Sequence, residues 1–171
     1  YLTVPRFTTP RWYSEGSAVF LETWMAGGLG RAQGGYDEMV FRAMVRDGAH
    51  FFDPLGLVSR GTRIDFQVGA NSYLYGTRFM SYISLKYGPE KLVKWTSRYK
   101  GSDAYFASDF NNIYNLPLSE AWNQWITFEK EFQEKNLEKI RLNPITPYRT
   151  LSTGPLGALS RAFYDSTNST I

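Results

Sequence analysis

The chain has 171 residues, with 19 Lys and Arg against 16 Asp and Glu, 43% apolar and 20% charged residues, one His and no Cys. This is a globular balance, long enough for one domain with a sizeable core, and a net charge of +3 spread along the chain argues for neither a nucleic-acid nor an anionic-membrane partner. Without Cys there is no disulfide framework, thiolate metal site or cysteine nucleophile, and with His50 alone this chain cannot supply two imidazoles to any site.

No apolar run approaches the roughly eighteen residues of a membrane span, and no basic-then-apolar signal segment stands at the start. Aromatic residues make up 17% of the chain, which suits a compact core and equally an aromatic sugar- or peptide-binding surface. Residues 1–10, with Pro5 and Pro10, read as an extended lead-in. A helix is predicted from about Tyr13, with Ser14 as its cap, Glu15 in its first turn and Ala18, Leu21, Trp24 and Met25 along one face, ended by Gly27, Gly28 and Gly30. A second runs from Tyr36 to Val45 and stops at Asp47-Gly48. Residues 50–69, holding Asp53-Pro54, form the main long loop.

From Asn71 to Tyr87 the positions Gly76, Phe79, Met80, Ile83 and Tyr87 share one helical stripe, and Gly88-Pro89 supplies a stop and a new start. A short basic stretch follows from Lys91 to Tyr99, with Lys86, Lys91, Lys94, Arg98 and Lys100 as a solvated face. Helices are predicted from Asp103 to Tyr114 and from Pro117 to Lys139. The last places Ala121, Trp122, Trp125, Phe128 and Phe132 inward and Glu129, Lys130, Glu134 and Lys135 outward. After Asn143-Pro144 the texture changes to short apolar stretches broken by Pro147, Gly154, Pro155 and Gly157. The expectation is an all-α bundle of about six helices over residues 1–143, followed by an extended, partly β-like tail over residues 144–171.

Three segments carry a resemblance. Pro10-Arg11-Trp12-Tyr13-Ser14-Glu15-Gly16-Ser17-Ala18 resembles the glutamate helix of gluzincin-type zinc metallopeptidases, and Ala70-Asn71-Ser72-Tyr73-Leu74-Tyr75-Gly76 resembles the start of the aminopeptidase-like helix that presents a tyrosine. Lys86 to Leu92 and Leu118 to Trp125 are similar to the helical continuation of such domains. The resemblance implies that Glu15 is the third protein ligand to zinc, a hard carboxylate beside two imidazoles with one position open for water. It also implies that Tyr73 steadies the oxyanion of the tetrahedral intermediate. The histidine–glutamate–x–x–histidine motif of these families lies upstream of the ligand glutamate, so the resemblance places it in a preceding segment. On that basis the chain is the C-terminal half of a split site, inactive alone and holding no zinc by itself. Residues 150–165 look like the opening strands of a TolB-like propeller, and the relatives with that arrangement imply an extracytoplasmic location.

Each candidate has a plainer reading. Glu15 is also a helix-start carboxylate favoured by the dipole, Glu22 a surface charge rather than an orienter of the site, and Tyr73 one core aromatic among many. His50 reads as a hydrogen-bonded loop residue, and Trp122 and Trp125 as core. Two further functions fit: a non-catalytic helical module that holds a peptide or glycan on exposed aromatics, and a pseudo-peptidase. The expected partners are a peptide or protein substrate, the upstream segment and, through the face that segment would cover, a second copy of the chain.

Overall fold

Pro10, extended at φ −64° and ψ 149°, opens helix α1 (Arg11–Met25), a start that needs no donor from the proline-fixed residue. In this computed structural model, which describes residues 9–59, 68–97, 99–149, 163 and 165–169, Ser14 lies inside α1 rather than before it. Its hydroxyl donates back to the Arg11 carbonyl at 3.1 Å, so the predicted cap is corrected to Pro10, without a side-chain cap. The inward face is corrected too. Trp12, Gly16, Val19 and Thr23 recur at helical spacing and are buried with Tyr13 and Ser17, whereas Ala18 is exposed and Trp24 and Met25 are 46% and 83% exposed. Both stripes satisfy the helical period. The one carrying Gly16 and Ser17 is buried because small residues let a second helix approach.

A single 3-10 turn, Arg31–Gln33, leads into α2 (Gly35–Arg46), which ends before Gly48 at φ +62°. The predicted long loop contains a helix, α3 (Pro54–Ser59). Asp53 starts it, accepting the Leu55 and Gly56 N–H groups at 2.9 and 2.6 Å, while Pro54 occupies the first helical position. Then come α4 (Val68–Tyr87), α5 (Pro89–Thr96), α6 (Phe106–Tyr114) and α7 (Leu118–Arg141). Gly88 at φ +89° makes the turn from α4 to α5. The described residues therefore form an all-α bundle of seven helices, one more than expected.

Four of the five tryptophans, Trp12, Trp95, Trp122 and Trp125, are fully buried. Trp122 is the hub, with ring centroids 4.8 Å from Trp12, 4.8 Å from Phe79 and 4.9 Å from Trp125, edge-on or tilted as aromatic quadrupoles prefer. Its indole N–H donates to the Phe52 carbonyl at 3.0 Å, anchoring the loop before α3. The predicted inward positions of α7 hold at Ala121, Trp122 and Trp125, but Glu129 does not face solvent. It is 1% exposed and takes a forked ion pair from Arg78 of α4, at 2.8 to 3.1 Å, together with the Gln133 amide at 2.8 Å. A buried carboxylate needs such partners, and the forked guanidinium supplies them.

The chain divides into two compact units, Tyr1–Ile140 and Arg141–Ile171. Within the second, Asp165 accepts the Thr167 N–H and the Asn168 amide, each at 2.8 Å, and the Thr167 N–H above all holds its carboxyl below the usual carboxylate range. The predicted lead-in over residues 1–8, the loop residues 60–67, Arg98 of the basic run and most of the propeller-like segment 150–165 lie outside the described residues. No helix among those described is long and apolar enough to cross a membrane.

Candidate functional site

The most extensive helix pairing in the bundle joins α1 to α4, and two glycines make it. A Cβ on Gly16 would fall onto the backbone of Gly76, and a Cβ on Gly76 would stand 2.9 Å from the Gly16 Cα and closer still to the Trp12 carbonyl oxygen. No other residue type permits that approach. Backbones this close bring their neighbouring side chains together: Glu15, one residue before Gly16, and Tyr73, one turn before Gly76.

The Tyr73 hydroxyl lies within electrostatic reach of the Glu15 carboxylate, which raises its pKa above the ordinary value of 10.0. Ionising the phenol would set a second negative charge beside the first. Tyr73 is thus a protonated donor at neutral pH. Both residues are half-buried.

Two arginines complete the cluster. Arg11, one turn before Glu15 on α1, donates from Nε to Glu15 Oε1 at 3.2 Å. The Arg31 guanidinium lies 5.1 Å from the centre of the Tyr73 ring and is itself held by Asp37, 2% exposed, through a forked pair at 2.9 to 3.2 Å. Both cations draw the Tyr73 pKa down, and the effect of Glu15 outweighs them.

Glu15 is not in the first turn of α1, which holds no acidic residue. The dipole explanation for it weakens accordingly, since that effect fades beyond the first turn. Glu22 is exposed on the surface. His50 is exposed as well, its ring edge-on to Phe52 at 5.3 Å, and it makes no hydrogen bond among the described residues, contrary to the reading of a hydrogen-bonded loop histidine.

Among the described residues no group of three or more His, Cys, Asp or Glu is placed to hold a metal ion. Among the described residues Glu15 offers one hard oxygen donor group, where a tetrahedral zinc site takes several protein ligands. Sequence reasoning passed over Arg11 and Arg31. Arg11 was legible, because its spacing from Glu15 pairs side chains on any helix. Arg31 follows three glycines and reaches Tyr73 only through the tertiary fold.

No family model matches the chain, and neither a curated protein nor a solved structure matches it.

Proposed function

We propose that this chain is the helical half of a gluzincin-like zinc metallopeptidase, contributing the glutamate ligand and the oxyanion-stabilising tyrosine to a site completed by histidines from outside it. The observation that supports this reading is the Gly16–Gly76 crossing, where two backbones approach too closely for any Cβ and bring Glu15 and Tyr73, drawn from separate motifs, near enough for the carboxylate to raise the tyrosine pKa. When bound, zinc polarises a scissile carbonyl and lowers the pKa of its water.

The residues of this chain have separable tasks. Glu15 supplies a carboxylate whose orientation is held by Arg11 Nε. Tyr73 keeps its proton because of Glu15 and presents an O–H donor to a developing negative oxygen. Arg31 lies over the Tyr73 ring and partly offsets the pull of Glu15 on its pKa. A peptide carbonyl is the substrate class that such a donor and ligand serve, and an extracytoplasmic address belongs to the same proposal.

The aromatic-surface module is the less supported alternative, because the rings on which it depends are mostly spent on the core, Trp12, Trp95, Trp122 and Trp125 among them. The test uses the protein with its native upstream sequence. Glu15→Gln is expected to lose zinc by metal analysis and hydrolysis together, whereas Tyr73→Phe keeps zinc and lowers kcat by roughly a hundred- to a thousandfold. Full zinc in Glu15→Gln, or full kcat in Tyr73→Phe, overturns the assignment.

A further inference from the structure

A cavity of about 1090 Å³ opens where α1, α3, α6 and α7 begin. Buried Trp12, Phe106 and Leu118 contribute to its lining, and Leu55, Val58 and Tyr105, all substantially exposed, add apolar surface. Its polar lining is uncharged for the most part. Ser108 and Asn111 come from one face of α6, and Ser119 and Asn123 from one face of α7, by the spacing of three or four that aligns side chains on a helix. All four are exposed, and their side chains make no hydrogen bond among the described residues.

Among the described residues the charges at the cavity are one of each sign, and both are engaged. Arg11 is paired with Glu15, and Asp53 accepts the N–H groups of Leu55 and Gly56. What remains to meet a ligand is apolar surface together with unused amides and hydroxyls. An Asn side chain offers a donor and an acceptor, the same pair that a peptide unit presents. Among the described lining residues a phosphate-bearing ligand would find no uncommitted cation, and a hydrocarbon chain would leave four polar side chains without partners. The volume, just above the roughly 300–1000 Å³ typical of ligand pockets, admits a short peptide.

We propose that this cavity binds an uncharged, apolar segment of peptide in extended conformation. Apolar side chains lie against Leu55, Val58 and Tyr105, and the peptide amides pair with Asn111 and Asn123. The inference is independent of the zinc reading. The two sites touch through Arg11, which lines the cavity and holds Glu15, so an occupied groove leads toward the Glu15–Tyr73 pair.

The test is a titration of the chain with a capped tetrapeptide, acetyl-Ala-Leu-Phe-Ala-amide, followed through the side-chain amide resonances of its Asn residues. Saturable shifts at Asn111 and Asn123 are expected. Asn123→Ala should weaken binding roughly threefold to tenfold, and Ser119→Trp, at an exposed position that tolerates the change, should weaken it at least tenfold by filling the groove. The titration needs neither zinc nor hydrolysis, so its failure is separate from failure of the peptidase reading. No saturable binding at millimolar peptide, equal binding of the acidic peptide acetyl-Ala-Glu-Glu-Ala-amide, tighter binding of a cello-oligosaccharide, or unchanged binding by a helical Ser119→Trp each overturns it.

Discussion

Tyr75 lies two positions beyond Tyr73 on α4, yet the two phenols live in different surroundings. Tyr75 is 2% exposed, and its hydroxyl accepts the Phe52 N–H at 3.3 Å. Burial pushes its pKa from 10.0 up to about 12, against the opposing pull of that N–H. For Tyr73 the Glu15 carboxylate is the main cause. A phenol whose folded pKa is raised keeps its proton in the native state after the unfolded chain has lost it. Its stabilisation is therefore complete below pH 10 and is lost as pH rises toward 12. Unfolding free energy from urea titrations should fall by about 2 to 3 kcal/mol over that window on account of Tyr75, with Tyr114, also raised chiefly by burial, acting in the same direction. Tyr75→Phe should flatten the decline, and an unaltered slope would assign it to other groups. The sequence placed both tyrosines on one helix, and the resemblance picked out Tyr73. It did not distinguish their environments, because a phenol's neighbours belong to other helices.

Packing of whole helices explains why α4 is central. Toward α1 it presents Gly76 and approaches to backbone contact. Toward α7 it presents Tyr75, Phe79 and Arg78, and the separation is filled by rings and one ion pair. Arg78 and Glu129 are 14% and 1% exposed, so removing one leaves the other charged and without its main partner. Arg78→Met should cost about 3–5 kcal/mol in a urea titration, whereas Arg78→Met combined with Glu129→Met should recover most of it. A double variant as unstable as the single would show that the pair itself is the stabilising element. Glu129 was expected on the solvated face by its residue type, although its spacing from Trp125 and Gln133 puts it on the buried stripe. Charge misled where periodicity did not. The same α7 network extends to Asn136, whose amide reaches Glu38 of α2 at 3.3 Å.

Within the first unit several large apolar residues are left outside. Trp24, Met25 and Leu29 stand at the end of α1 and just after it, and Tyr36 and Met39 lie one turn apart on α2, all between 46% and 83% exposed. They continue from the outward face of α1 that carries Ala18 and Glu22. Exposed apolar surface of this kind favours association. Sedimentation velocity should show concentration-dependent self-association, and Trp24→Glu with Met25→Lys should return the chain to monomer. A parent chain that stays monomeric at high concentration would remove this expectation.

The helical period, the glycine and proline stops and the absence of Cys determined an all-α class and most helix positions, because these signals act over a few residues and are complete within the chain itself. The same signals left α3 hidden, since Asp53-Pro54 reads equally as a turn and as a capped start. They also misassigned the buried face of α1, where two apolar stripes shared one helix. That choice, the burial of Glu129, the position of Arg31 over Tyr73 and the meeting of Glu15 with Tyr73 depended on which helices touch. The Gly16–Gly76 contact sets the last of these, by letting two backbones approach where any Cβ would hold them apart.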